Sequence, residues 1–138
     1  MHQQQNTQAS PMASAEPNLT RAFDLVMQMM AIPGKTGFED DVATFITDQL
    51  LAAGAPADAI QRDEAHHKTQ ILGNTGNLIF KLAGTQRGPR RMLSAHMDTV
   101  PICVGSKPVL KGRTVHAADP NTGLGADDRA GATAILCA

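Results

Sequence analysis

The sequence predicts an α/β fold. Two amphipathic helices come first, short β-prone apolar segments follow, and an alanine-rich helix takes up the last residues. The helical repeat of three and four residues gives way to the β-prone segments after a polar stretch that contains His66 and His67. This order of elements is typical of the opening of an α/β domain.

The first 17 residues are rich in Gln, Ser, Ala and Pro and show no apolar periodicity. Such a composition predicts a disordered tail over 1–17, followed by one domain over 18–138.

Both early helices have recognisable ends. The first is predicted to begin at a capping residue, Asn18 or Thr20, and to end at Pro33 and Gly34. The second is predicted from about Phe38 to Ala53, and acidic residues in its first turn complement the helix dipole. The apolar faces comprise Phe23, Val26, Met27 and Met30 in the first helix, and Val42, Phe45, Ile46 and Leu50 in the second.

The remaining elements are shorter. Residues 77–82 and 91–96 are predicted as strands, and residues 107–115 as a small hairpin around Gly112. A turn-rich stretch over 119–125 leads into a helix predicted from Asp128 or Arg129 to Ala138. Because the chain stops inside that helix, we expect it to be the N-terminal portion of a longer domain.

The charge and the cysteine content of the chain indicate which binding partners and which cellular compartment to expect. The chain has 12 basic and 13 acidic residues, a formal net charge of -1, so we expect neither a nucleic-acid nor a membrane partner. No signal peptide or long apolar span is visible in the sequence, and Cys103 and Cys137 lack the spacing of a disulfide framework or zinc knuckle. Free thiols suit a reducing compartment, and we therefore predict a cytoplasmic protein.

A His-x-Asp motif follows the second predicted strand, in the block Ala95-His96-Met97-Asp98-Thr99-Val100-Pro101. Neutral imidazole is a good zinc ligand when a partner on its other ring nitrogen fixes its orientation. Residues two apart in an extended segment point the same way, so Asp98 can reach the side on which His96 projects. The alternative is a surface His and Asp at a strand end.

A second motif, Gly123-Leu124-Gly125-Ala126-Asp127-Asp128-Arg129-Ala130-Gly131, places two carboxylates among small residues directly before a helix. One carboxylate can bridge two metal ions about 3.5–4 Å apart. The alternative is that Asp127 and Asp128 only cap the helix. His66, His67 and His116 are weaker candidates for metal ligands. They are predicted to be solvated loop residues, because the sequence offers them no evident ligand partners.

Together, the blocks at 96–101 and 125–131 resemble the two N-terminal signatures of the family of peptidase T, carboxypeptidase G, acetylornithine deacetylase and succinyl-diaminopimelate desuccinylase. Residues 32–39 also resemble the loop between that family's first two helices. The resemblance spans about residues 19–138 and leans slightly toward the tripeptidase-like branch. It implies the N-terminal portion of a mixed-sheet zinc-exopeptidase catalytic domain with helices packed on the sheet.

The resemblance also implies roles for individual residues. His96 would ligate one zinc ion, Asp127 would bridge both ions of a complete two-zinc site, and Asp98 would be the catalytic residue that orients the His96 imidazole. Asp128 would shape its loop, joined to Asp127 by a cis peptide. The family's Glu-Glu pair, which contains the general base, and its other ligands would lie beyond Ala138, so the isolated chain is expected to be inactive.

Several functions remain open on the sequence. The leading prediction is a metal-dependent hydrolase of peptide or amide bonds, a di-zinc aminopeptidase that acts on small peptides. An N-acyl amino acid deacylase of the same family and a non-catalytic remnant or interaction module are the alternatives. The family allows a homodimer in the full-length protein.

Overall fold

The structure is a computed structural model that describes residues 16–85 and 87–138. The tail predicted over 1–17 lies almost wholly outside these residues. These residues contain three α-helices and four strands, namely α1 (Leu19–Ala31), α2 (Asp40–Ala52), β1 (Ile60–Arg62), β2 (Leu78–Phe80), β3 (Pro108–Lys111), β4 (Thr114–Ala117) and α3 (Ala126–Leu136). The predicted α/β class is confirmed.

The two early helices begin and end where local chemistry directs them. The side chain of Asn18 accepts a hydrogen bond from the Arg21 backbone amide at 2.9 Å, and this satisfies one of the free amides of the first turn of α1. Ile32, the residue before Pro33, is extended and ends the helix. Helix α2 has Asp40 and Asp41 in its first turn, as predicted.

The described strands form two antiparallel pairs. Strand β1 pairs with β2, with Gln61 opposite Ile79, and β3 pairs with β4, with Leu110 opposite Val115. Gly112 has a φ of 62° in the tight connection between β3 and β4, a conformation that costs glycine little. The predicted hairpin is therefore confirmed, and it extends to Ala117.

The strand predicted over 91–96 is wrong. In this segment the apolar side chains of Met92 and Leu93 are exposed, and the first backbone bridge comes later, between Lys35 and Thr99. An apolar run is only a candidate for a strand, because a strand also requires a neighbouring backbone that accepts and donates its ladder bonds.

The core lies between the helices. Met29 of α1, Val42 of α2 and Ala132 of α3 are buried together. Partly buried residues pack around them: Ile32, Phe45, Ile46, Ala95, Met97 and Leu136. Ala95 and Met97 flank His96, so the segment that carries the His-x-Asp motif is anchored to the helical core through its apolar neighbours.

Helix α3 has an irregular start. Gly125 adopts a left-handed conformation with φ 79°, and Asp127 and Asp128 have non-helical backbone angles, so the regular helix begins at Arg129. The peptide bond between Asp127 and Asp128 is cis, as the family resemblance implied. The carboxylate of Asp128 accepts a hydrogen bond from the Gly131 amide at 3.1 Å and so caps the first regular turn.

Candidate metal centre

Three side chains singled out by the sequence motifs converge in the fold. The two nitrogens of the His96 imidazole each face a carboxylate: Nδ1 lies 3.0 Å from Oδ1 of Asp98, and Nε2 lies 3.2 Å from Oδ1 of Asp127. Nδ1 also lies 3.1 Å from the backbone oxygen of Asp98. The two motifs, 31 residues apart in the sequence, therefore form one cluster.

The spacing of His96 and Asp127 suits a shared metal ion. Two donor atoms bound to one tetrahedral zinc ion at about 2.0–2.2 Å lie about 3.3–3.6 Å from each other. The observed separation of Nε2 and Oδ1 is 3.2 Å. A mixed nitrogen and oxygen donor set also suits zinc and neighbouring transition metals. The residues present thus fit the metal that the sequence motifs imply.

Asp98 is placed to fix the orientation of the His96 ring. When the protonated Nδ1 donates a hydrogen bond to the Asp98 carboxylate, the neutral ring keeps a free lone pair on Nε2, on the side of Asp127. Metal-binding histidines are commonly oriented in this way, by a carboxylate that accepts a hydrogen bond from the ring nitrogen that does not bind the metal.

The electrostatics of the cluster favour positive charge at the His96 ring. Burial acts to lower the pKa of His96, but hydrogen bonds to Asp98 and Asp127 and the charge of Asp98 outweigh it. The pKa of His96 is therefore raised above its ordinary value of 6.5. The proton between Nε2 and Asp127 and a metal ion would compete for the same position.

A fourth residue, Thr36, completes the support of this ring. Its hydroxyl donates to Oδ2 of Asp98 at 2.5 Å, so the two carboxylate oxygens of Asp98 are divided between Thr36 and His96. The backbone holds Thr36 there: its amide donates to Thr99 O at 3.2 Å, and the amide of Thr99 donates to Gly34 O at 2.8 Å. The loop between α1 and α2 is thereby joined to the His-x-Asp segment.

Arg129 lies behind the same loop and is completely buried. Its guanidinium donates to Met29 O at 3.3 Å and to Gly34 O at 3.4 Å. Burial lowers the pKa of Arg129, while the negative charges of Asp98 and Glu39 oppose that change. Arg129 thus links α3 to the loop that carries Thr36.

Sequence reasoning assigned no role to Thr36 or Arg129. Thr36 lies within the segment 32–39 that resembles the family's loop, but its partner Asp98 is 62 residues away. No local pattern signals such a contact.

The cluster borders an open depression of about 210 Å³. Its other lining residues are Thr99, Val100, Cys103, Gly125 and Ala126. The side chain of Asp127 is 96% exposed and that of His96 is 53% exposed. Both potential ligands are therefore accessible to an ion and to a small substrate.

The remaining histidines differ from one another. His116 lies exposed on β4, opposite Val109. His66 and His67, by contrast, both lie near the carboxylate of Glu64, so the prediction that they lack a ligand partner is wrong. The signal was present in the sequence as Glu64-Ala65-His66-His67, with the acid two and three residues before the imidazoles.

Comparisons with known proteins point in the same direction as the geometry. No family model matches the chain. The uncharacterized protein YqjE of Bacillus subtilis (strain 168) is 30% identical over 120 residues, which make up 86% of this chain and 30% of YqjE.

Two solved structures are similar to the chain. A tripeptidase from Staphylococcus aureus matches with a TM-score of 0.76 and 28% identity, and aminopeptidase PepT from Bacillus cereus ATCC 10987 matches with a TM-score of 0.72 and 27% identity. Each match covers 88% of this chain and 31% of the other. The chain therefore spans about a third of the length of these relatives, and its fold matches part of a peptidase domain.

The similar solved structures support the resemblance to a peptidase domain. Among the residues that the structure describes, no helix is long and apolar enough to cross a membrane.

Proposed function

We propose that this chain supplies part of the metal centre of a metal-dependent hydrolase of peptide or amide bonds, a di-zinc aminopeptidase of the tripeptidase-like kind. The observation that carries the proposal is the convergence of His96 Nε2 and Asp127 Oδ1 at 3.2 Å, with Asp98 on the other ring nitrogen. The similarity to a tripeptidase and to PepT supports it independently.

Each residue has a distinct role in this proposal. His96 and Asp127 would hold the metal, and the side chain of Asp127 is almost fully exposed and so accessible to it. Asp98 keeps Nδ1 protonated and the ring fixed, and Thr36 keeps Asp98 in place. A bound zinc ion supplies Lewis-acid chemistry for hydrolysis of an amide carbonyl.

The proposed substrate is a small peptide or an N-acyl amino acid, which the open depression beside His96 can admit. We further propose that residues 18–138 form the N-terminal part of a metallopeptidase catalytic domain. We also propose a cytoplasmic location, no nucleic-acid or membrane partner, and a homodimer for the whole protein. The near-neutral charge supports the absence of a nucleic-acid or membrane partner, and the two free cysteines support the cytoplasmic location.

Side-chain NMR of the histidines tests the metal centre directly, because each imidazole gives its own resonances. Zinc added at neutral pH to the metal-free protein in which this chain is followed by the rest of the domain should shift the resonances of His96, and Asp127→Asn should weaken zinc binding there by about tenfold or more. His116→Ala is the matched control and should leave the His96 response unchanged. If the His96 resonances do not respond to zinc, the proposed metal centre is wrong.

The reaction is tested separately with a protein in which this chain is followed by the rest of the domain. Tripeptide hydrolysis that exceeds hydrolysis of N-acetyl amino acids supports the aminopeptidase, and the reverse preference supports the deacylase. Loss of both activities in His96→Ala would assign them to this centre.

A further inference from the structure

A second cluster of potential metal ligands lies in the turn after β1. The carboxylate of Glu64 and the rings of His66 and His67 form it, and one ligand atom from each lies within 4.8 Å of the others. Oε2 of Glu64 lies 2.8 Å from Nε2 of His67 and 4.0 Å from Nε2 of His66. The two imidazoles have ring centroids 3.8 Å apart, and the Nε2 atoms of both lie within 4.0 Å of one carboxylate oxygen.

The backbone of this turn is braced by its neighbours. Oδ1 of Asp63 accepts hydrogen bonds from the amides of Ala65 at 3.0 Å and Asn77 at 2.8 Å, and Oδ2 accepts from the side chain of Asn77 at 2.9 Å. The amide and hydroxyl of Thr69 both donate to the carbonyl of His66. A Cβ added at Gly76 would lie 2.0 Å from Asp63 O, so the turn packs closely against the segment that precedes β2. The ligands thus project from a fixed backbone, which reduces the entropy lost when an ion binds.

The two ends of the cluster differ in exposure. The side chain of His66 is 14% exposed, whereas those of His67 and Glu64 are 66% and 75% exposed. Nδ1 of His66 is buried and has no hydrogen-bond partner. His66 is therefore held by packing, while His67 and Glu64 can rotate to adjust their distances to an ion.

The donor set indicates the kind of ion. Two imidazole nitrogens and one carboxylate oxygen form a three-ligand set that leaves one position of a tetrahedral ion to solvent. Imidazole suits zinc, copper and nickel, whereas magnesium and calcium prefer oxygen ligands alone.

We propose that Glu64, His66 and His67 bind one divalent transition-metal ion, with zinc as the physiological candidate, at a site that shares no ligand with His96 and Asp127. Such an ion would join the carboxylate and both imidazoles across a single turn. It binds only the folded turn, so it would raise the stability of the β1–β2 region.

Calorimetric titration of the chain with zinc chloride tests this proposal. The titration is carried out on the variant His96→Ala/Asp127→Asn, which removes the other proposed centre. We expect about one equivalent of zinc to bind, and magnesium chloride to give no binding at the same concentrations. Adding His67→Ala or Glu64→Gln should weaken zinc binding by about tenfold or more.

The controls make the outcome decisive. His67 and Glu64 are exposed, so their replacement should leave the circular dichroism spectrum unchanged, and His116→Ala removes an exposed imidazole elsewhere. Retained binding in His116→Ala together with loss in the two cluster variants supports the site. The proposal is overturned if the His96→Ala/Asp127→Asn variant binds no zinc, or if the cluster variants bind as well as His116→Ala. Every protein in this experiment lacks His96 and Asp127, so the result does not depend on whether the metal centre proposed there is correct.

Discussion

Replacing Thr36 with valine should weaken metal binding at His96 although Thr36 touches no ligand atom. Valine keeps the shape of threonine but removes the hydroxyl that donates to Asp98. A hydrogen bond to a charged group contributes about 1.5–3 kcal/mol. Thr36 is exposed and water replaces part of that bond, so we expect a loss of about 1.4 kcal/mol, which corresponds to about a tenfold lower zinc affinity.

The assay is a zinc competition titration with a chromophoric chelator. It is made on the protein in which this chain is followed by the rest of the domain, in a His67→Ala background that removes the cluster at Glu64. Thr36→Ser is the matched variant, because it retains the hydroxyl, and its zinc affinity should stay close to that of the parent. An affinity of Thr36→Val within twofold of the parent, or an equal loss in Thr36→Ser, would refute the role assigned to the Thr36 hydroxyl.

Three further predictions concern stability. Gly34→Ala should destabilise the fold by about 1–3 kcal/mol in urea unfolding, since its Cβ would lie 2.5 Å from Nη2 of the buried Arg129. Gly88→Ala, with open space around it, should be neutral, and equal losses would contradict the packing argument. Met29→Ala should cost about 2–5 kcal/mol, measured in the same way, because Met29 is fully buried in the core, and a cost below 1 kcal/mol would contradict the core assignment. The hydrogen bonds from Asn77 and Ala65 lower the pKa of Asp63 in the folded protein below its ordinary value of 3.8. The ionised Asp63 therefore stabilises the fold above pH 3.8, and this stabilisation is lost as the pH falls through the folded-state pKa. The stability difference between the parent and Asp63→Asn should therefore shrink from pH 7 to pH 3, and a difference that grows would reverse the sign of the argument.

The helices could be predicted because their signals are local. The cap at Asn18, the apolar repeat along each helix and the stop at Pro33 all act within a few residues. The strand expected over 91–96 could not be judged in this way, because ladder bonds depend on a partner segment that composition does not reveal. The segment instead makes its first bridge through Thr99 to Lys35.

In the candidate centre, too, contacts between residues close in sequence could be predicted, and contacts between distant residues could not. His96 and Asp98 are two residues apart, and their pairing follows from the direction of neighbouring side chains. The approach of Asp127 was expected only through the resemblance to a family. Thr36 and Arg129 were missed because they act through contacts with Asp98 and with the carbonyls of Met29 and Gly34, which lie 62 to 100 residues away.

The contact of α1 with α3 has a kinetic consequence. Arg129 and Thr133 reach Met29 across 100 and 104 residues of chain, so docking of the two helices must close a long loop and overcome its entropy cost. Such distant closure makes folding slow compared with the microsecond formation of a single helix. The segment carrying His96 packs on this same helical interface, so its ligands should reach their final positions late, in the step that docks α1 against α3.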